Sequence, residues 1–211
     1  MRRFVIWLAL IGIVVVAGAV LFLKWDLDWR WRPHAITRNQ TEIGQALDQS
    51  GWVSPHLTGP HLYVIAYRGC AACSEFEQTV FPKLQAAQVD TRVIMIARPD
   101  RNGQVLSTPA ERATVAELWL TRSWKLFQQW SLANPQTWNA PGIAPADNDA
   151  ARTAVVEAGR GLVANVTPLL RANGVTFDYP MVIWWTKDHQ MRACVCTAPQ
   201  SWGFVEKDLR A

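Results

Sequence analysis

Two cysteines separated by two alanines, Cys70-Ala71-Ala72-Cys73, stand between the apolar run Leu62-Tyr63-Val64-Ile65-Ala66-Tyr67 and the polar-apolar sequence Ser74-Glu75-Phe76-Glu77. The run reads as a strand and the segment after it as a helix, so both thiols fall at a strand-to-helix junction. The first N–H groups of a helix have no intrahelical partner and carry the positive end of its dipole. An anionic sulfur placed there is stabilised and its pKa falls. Cys70 is therefore the candidate nucleophile, and Cys73 the resolving thiol.

The remaining composition excludes more than it assigns. The chain has 211 residues, 50% of them apolar, enough for a core of ordinary size. A net charge of +4 is scattered along it, with no basic stripe and no interleaving of aromatic and basic residues, so no nucleic-acid partner is expected.

A second signal opens the chain. After Arg2 and Arg3, residues Phe4 to Leu23 carry no charge, and twenty residues at roughly 1.5 Å each span about 30 Å of hydrocarbon. Lys24, Trp25, Trp29 and Trp31 follow, as amphipathic rings do at a lipid surface. Residues 1–23 are read as a transmembrane anchor; a cleaved signal peptide ending near Ala17-Gly18-Ala19 is the alternative. Lys24, Arg30, Arg32 and Arg38 oppose Arg2 and Arg3, so charge alone leaves the orientation open. The expectation is a single pass through the cytoplasmic membrane, N-terminus in the cytoplasm and the C-terminal part periplasmic or otherwise extracytoplasmic.

Residues 24–40 read as a stalk, and 41–211 as the folded domain. Within it the patterns predict a short helix over Thr41 to Ser50, a strand over His61 to Tyr67, a helix from about Ala72 to Gln88 and a second, parallel strand over Thr91 to Ala97. One long helix is expected from Thr108-Pro109 to about Trp130, and another from near Asp149, with Thr167-Pro168 starting a last piece that ends at Gly174. Met181 to Thr186 and Met191 to Cys196 form a hairpin, and a closing helix ends at Arg210. The order is β-α-β, helical insertion over about 98–175, then β-β-α.

A strand ending in Cys-x-x-Cys at a helix start, a later X-Pro before a β-hairpin, and a closing helix resemble the thioredoxin fold. The helical insertion is similar to that of periplasmic disulfide oxidoreductases, and the layout resembles most the catalytic domain of the DsbC and DsbG group. The resemblance spans about Thr41 to Arg210 and rests on the two-cysteine motif and the X-Pro. It implies an α/β thioredoxin-like fold and a cis proline facing the reactive disulfide, preceded by a residue that orients substrate. Tyr179-Pro180 fits that role; Thr167-Pro168 competes, but only Met181-Val182-Ile183-Trp184-Trp185 after Pro180 is strongly β-prone.

Two departures from that pattern are visible. Val64 stands where many relatives carry a buried carboxylate six residues before the first cysteine, which leaves Glu75 and Glu77 as candidates for proton handling. The N-terminal dimerisation module of the isomerases is also missing from the chain, which argues against isomerase activity. Ala71-Ala72 supplies no cation, so only the helix end and Arg68 are at hand to stabilise a thiolate.

Cys194 and Cys196 complete the cysteine inventory. With Thr186 facing Met191, Cys196 falls opposite Met181, next to Pro180. Alternation puts both sulfurs on one face, as a second dithiol or a structural pair. A bond between them sits near the upper limit of Cα separation for a disulfide. Four cysteines also allow a tetrahedral zinc or copper site. The twelve tryptophans include Trp119, Trp124 and Trp130 in the long helix, where a core role is expected.

The reading is a membrane-anchored thiol-disulfide oxidoreductase in which Cys70 attacks, Cys73 resolves, and Tyr179 and Pro180 orient the substrate chain. Its substrates are cysteine-containing proteins, its recycling partner lies in the membrane or periplasm, and it needs no metal or organic cofactor. A metal-handling assembly protein and a non-catalytic scaffold are the alternatives.

Overall fold

The computed structural model describes residues 2–27 and 29–210, which fall into two compact units, 1–32 and 33–211. In the first unit, helix α1 runs from Arg2 to Leu27 and a 3-10 turn spans Trp29–Trp31. Helix α1 is long and apolar enough to cross a membrane. The Arg30 guanidinium lies 4.7 Å from the ring centroid of Trp31 and 5.8 Å from that of Trp25.

The second unit is built on a five-stranded sheet of order β1-β5-β4-β2-β3. Its strands are β1 (His34–Ala35), β2 (His61–Tyr67), β3 (Asp90–Ile96), β4 (Met181–Trp185) and β5 (Met191–Val195). Strands β2 and β3 pair in parallel, joined by helix α3 (Ala71–Ala86) as the crossover; the other pairings are antiparallel. Helices α2 (Gln40–Asp48), α4 (Pro109–Thr121), α5 (Trp124–Leu132), α6 (Ala150–Arg171) and α7 (Pro199–Arg210) complete the unit.

Period-2 alternation divides the sheet's side chains between two cores. Leu62, Val64, Ala66, Val182 and Trp184 join Phe76, Val80 and Leu84 of α3 and Trp202 and Val205 of α7 on one face. Tyr63, Ile65, Ile94, Ile96 and Ile183 join Ile43 and Leu47 of α2 and Leu162, Val166 and Leu170 of α6 on the other.

Four expectations are corrected. The span expected to be a stalk contributes strand β1, paired with β5, and Ile36 is 1% exposed in the core; a chain that can bury Ile36 and pair its backbone does not stay a free linker. The helix expected from Thr108 to Trp130 is two, because Arg122 takes a left-handed conformation (φ 52°). Its guanidinium donates to the carbonyls of Ser50 and Trp52, and Ser123 caps the next helix by accepting from the Leu126 N–H. Pro168 lies inside α6 instead of opening a new piece: the buried positions Val156, Leu162, Val166 and Leu170 keep helical spacing through it, and Thr167 donates its hydroxyl to the Val163 carbonyl, 2.6 Å away. Last, the hairpin pairs Trp185 with Met191, one residue off the expected register. The Thr186 N–H instead donates to the Gln190 carbonyl, closing the turn inside the strands.

Candidate active site

Strand β2 delivers its last residue, Tyr67, to a turn in which Gly69 adopts φ 81°, a conformation L side chains rarely take. The turn places Cys70 as the N-cap of α3, its N–H donating to the Tyr67 carbonyl at 3.4 Å. Cys70 and Cys73 form a disulfide with a Cα separation of 5.2 Å. The Cys73 N–H donates to Cys70 Sγ at 3.1 Å. The cap is therefore made by sulfur, and the same N–H can stabilise negative charge on that atom. Both cysteines are nearly buried, 5% and 2% exposed.

Tyr179–Pro180 is a cis peptide at the start of β4. Because β4 pairs with β2 from Ile65 and Met181 outward, continuing that register sets Pro180 beside Ala66, four residues before Cys70. The Tyr67 and Tyr179 rings meet edge to face at 4.9 Å, and Phe177 meets Tyr179 likewise at 5.2 Å. The Arg98 guanidinium lies 3.8 Å from the Tyr67 centroid. Burial pushes the Tyr179 hydroxyl up to about 12, so the ring is neutral at physiological pH.

Cys194 and Cys196 are also joined, with a Cα separation of 5.2 Å. That value lies well inside the ordinary range for disulfides, correcting the expected near-limit separation. The chain contracts because β5 ends at Val195, where the Thr197 N–H turns back to the Val195 carbonyl. The corrected register puts Cys196 opposite Pro180 itself, its N–H donating to the Pro180 carbonyl at 3.1 Å. All four cysteines belong to the core on the α3 face. With the sulfurs bonded in pairs, no group of three or more potential ligands is poised for a metal ion among the described residues.

Three charged residues flank the motif in sequence, Arg68, Glu75 and Glu77. Arg68, expected to help a thiolate, donates instead to the carbonyls of Ser131 and Ala133 at the end of α5 and lies over the Trp130 ring. Glu75 is exposed, whereas Glu77 is half-buried, and burial pushes its carboxyl up to about 7 against the pull of Arg68. Glu77 stands four residues after Cys73, hence on the same helix face.

Sequence reasoning missed Glu111. Thr108-Pro109-Ala110-Glu111 reads as an ordinary helix start, and Thr108 does accept from the Glu111 N–H. Only the tertiary structure reveals the Glu111 side chain as 9% exposed. Its Oε1, like the Nε atoms of Arg68 and Arg98, is buried without a hydrogen-bond partner. Burial pushes this carboxyl up to about 7, opposed by the Thr108 hydrogen bond and then by Arg98, Arg68 and Arg112.

No family model and no curated protein matches the chain. Among solved structures, the crystal structure of BcfH from Salmonella enterica Typhimurium superimposes with a TM-score of 0.52 at 13% identity, covering 100% of this chain and 94% of that one. At that identity the likeness establishes architecture: this chain has a thioredoxin-like α/β fold, with an apolar N-terminal helix able to span a membrane.

Proposed function

We propose that the protein is a membrane-anchored, extracytoplasmic thiol-disulfide oxidoreductase acting on protein cysteines through Cys70 and Cys73. The observation that carries the reading is the sulfur cap: Cys70 Sγ accepts the Cys73 N–H at the head of α3, beside the cis Tyr179–Pro180 peptide. A substrate thiolate attacks Cys70 Sγ, the Cys70–Cys73 bond breaks, and Cys73 leaves as a thiolate that takes a proton from Glu77. A second substrate thiol, deprotonated, then attacks the mixed disulfide at the substrate sulfur and releases Cys70 as a thiolate held by the helix end. The substrate gains a disulfide and the site becomes a dithiol; run backwards, the same steps reduce a substrate disulfide. Tyr179 and Pro180 orient the incoming chain, and the half-exposed row of Phe177, Tyr179 and Tyr67 gives it an aromatic surface.

The N-terminal helix anchors the protein, with the cysteine-bearing unit outside the cytoplasm, where disulfides persist. Its layout resembles that of the DsbC and DsbG catalytic domains. The purified full chain, in detergent, is titrated across glutathione ratios with alkylation of free thiols and measurement of bound zinc and copper. One two-electron couple at Cys70–Cys73 well above about −300 mV is expected. Cys73→Ala is expected to trap mixed disulfides in cells. Metal bound by the reduced wild type and lost on removal of the cysteines, with no trapped species, would establish the metal-handling alternative instead. An inert couple and no trapped species would leave a scaffold.

A further inference from the structure

We infer that Cys194–Cys196 is a second redox pair that exchanges two electrons with Cys70–Cys73 inside the protein. The inference rests on the thiol-disulfide reading above and extends it to a second residue pair.

Three observations carry it. The first is location. Continuing the register of β2, β4 and β5 sets Ala66, Pro180 and Cys196 side by side across the sheet, and Cys196 is tied to Pro180 by the hydrogen bond from its N–H. Ala66, Cys196 and both active-site cysteines belong to the core on the same face. From α3, Phe76, three residues after Cys73, meets the Trp202 ring at 5.9 Å, and Trp202 Nε1 donates to the Cys196 carbonyl at 2.9 Å.

The second is that the bond makes a poor staple. A disulfide stabilises a fold mainly by removing freedom from the unfolded chain, and the gain grows with the length of loop closed. Here one residue, Val195, lies between the cysteines, and the backbone around them is already fixed by the bonds from Cys196 N–H to Pro180 and from Thr197 N–H to Val195.

The third is burial in common. Cys196 is 0% exposed and Cys194 5%, and they share one core with the dithiol of the active site.

The exchange balances without an outside reagent. When a substrate has left Cys70 and Cys73 reduced, the Cys73 thiolate attacks Cys196 Sγ, breaking Cys194–Cys196 and releasing Cys194 as a thiolate. The Cys70 thiolate then attacks Cys73 Sγ and expels Cys196. One disulfide is broken and one formed; two electrons pass from Cys70 and Cys73 to Cys194 and Cys196, and two protons follow them.

The test uses the full chain in detergent, dithiothreitol as the reductant and peptide mapping after alkylation. In the wild type, limiting dithiothreitol should reduce both pairs while the chain is native. In Cys70→Ala/Cys73→Ala, reduction of Cys194–Cys196 should be at least about tenfold slower, since the external dithiol must then reach buried sulfurs unaided. Cys70→Ala/Cys194→Ala, which keeps only Cys73 and Cys196, should form an intramolecular disulfide between them in glutathione buffer. The inference is overturned if Cys194–Cys196 in the wild type is reduced only in denaturant, or at the same rate with and without Cys70 and Cys73. Cys70→Ser/Cys73→Ser replaces the alanine pair in the rate comparison if the latter does not fold. Substrate trapping by Cys73→Ala/Cys194→Ala/Cys196→Ala, which lacks the second pair, reads the parent reading separately: loss of trapping there and in Cys73→Ala strikes the oxidoreductase reading, not the relay alone.

Discussion

The Tyr179 ring stands edge-on to the Tyr67 ring, centroids 4.9 Å apart and planes at 86°, joining the residue before the cis proline to the residue that ends β2. An aromatic pair of this geometry contributes about 0.5–1.5 kcal/mol beyond its buried area. Under the proposed mechanism the ring orients the substrate chain and takes no part in sulfur exchange, so Tyr179→Ala should raise the KM for a protein substrate several-fold while moving the Cys70–Cys73 potential little. Tyr179→Phe keeps the ring and should restore most of the loss. Steady-state kinetics alongside a glutathione titration check this; a large change in potential in the Ala variant would contradict it.

Under the proposed mechanism Glu77 gives the reaction a pH signature. Its carboxyl, pushed up to about 7 by burial, is protonated below that value and can supply the proton that Cys73 needs on leaving. Single-turnover oxidation of a dithiol peptide should show an inflection near pH 7. Glu77→Gln should abolish the inflection and slow the step about a hundredfold at pH 6, the low end for a general acid. An unchanged profile would remove Glu77 from the mechanism.

Glu111 gives stability its own pH dependence. Its carboxyl ionises near 4.5 when unfolded and near 7 when folded. Between those values the native state holds the proton and the unfolded state does not, so its contribution is full below about 4.5, falls as pH rises and is flat above 7. The difference corresponds to at most about 3 kcal/mol. Glu111→Gln should match the wild type more closely at pH 5 and be relatively more stable at pH 8, read by urea unfolding at each pH. Equal slopes for the two chains would show that the carboxyl does not hold its proton.

Much of this site was legible in the sequence because its parts are local. An apolar run, two cysteines and helix spacing specify β2, the sulfur cap and α3, and the β-prone segment after Pro180 separates it from Pro168, which a helix absorbs. What escaped depends on contacts between distant segments. Arg122 breaks the α4–α5 helix because Ser50 and Trp52, some seventy residues earlier, offer carbonyls and a ring. The hairpin register slipped by one because hydrogen bonds within the Thr186–Gln190 turn, not the pattern of apolar residues, set where pairing stops. Glu111 escaped because the burial of its carboxyl depends on tertiary packing that the helix start at Thr108-Pro109 does not encode.

Gly51 tests how tightly the insertion packs on the sheet domain. A Cβ at this position would lie 2.6 Å from the Trp119 Cα, and Trp119 is pinned by its Nε1 hydrogen bond to the Met95 carbonyl. Gly51→Ala should cost about 2–3 kcal/mol through overpacking. Gly161→Ala, in α6 with nothing near its added methyl group, should instead stabilise by about 0.5–1 kcal/mol. Denaturation midpoints of the two variants, measured side by side, check both signs.

The sheet puts every cysteine on the face covered by α3 and none on the face covered by α2 and α6. Heritable variation on those two faces therefore has different consequences. Exchanges among Ile65, Ile94, Ile183 and their neighbours can adapt the protein to a warmer or colder habitat without touching the sulfurs, whereas the opposite face admits little change that leaves the electrochemistry alone. Within the core, a lineage of such proteins should accordingly vary more beneath α2 and α6 than beneath α3.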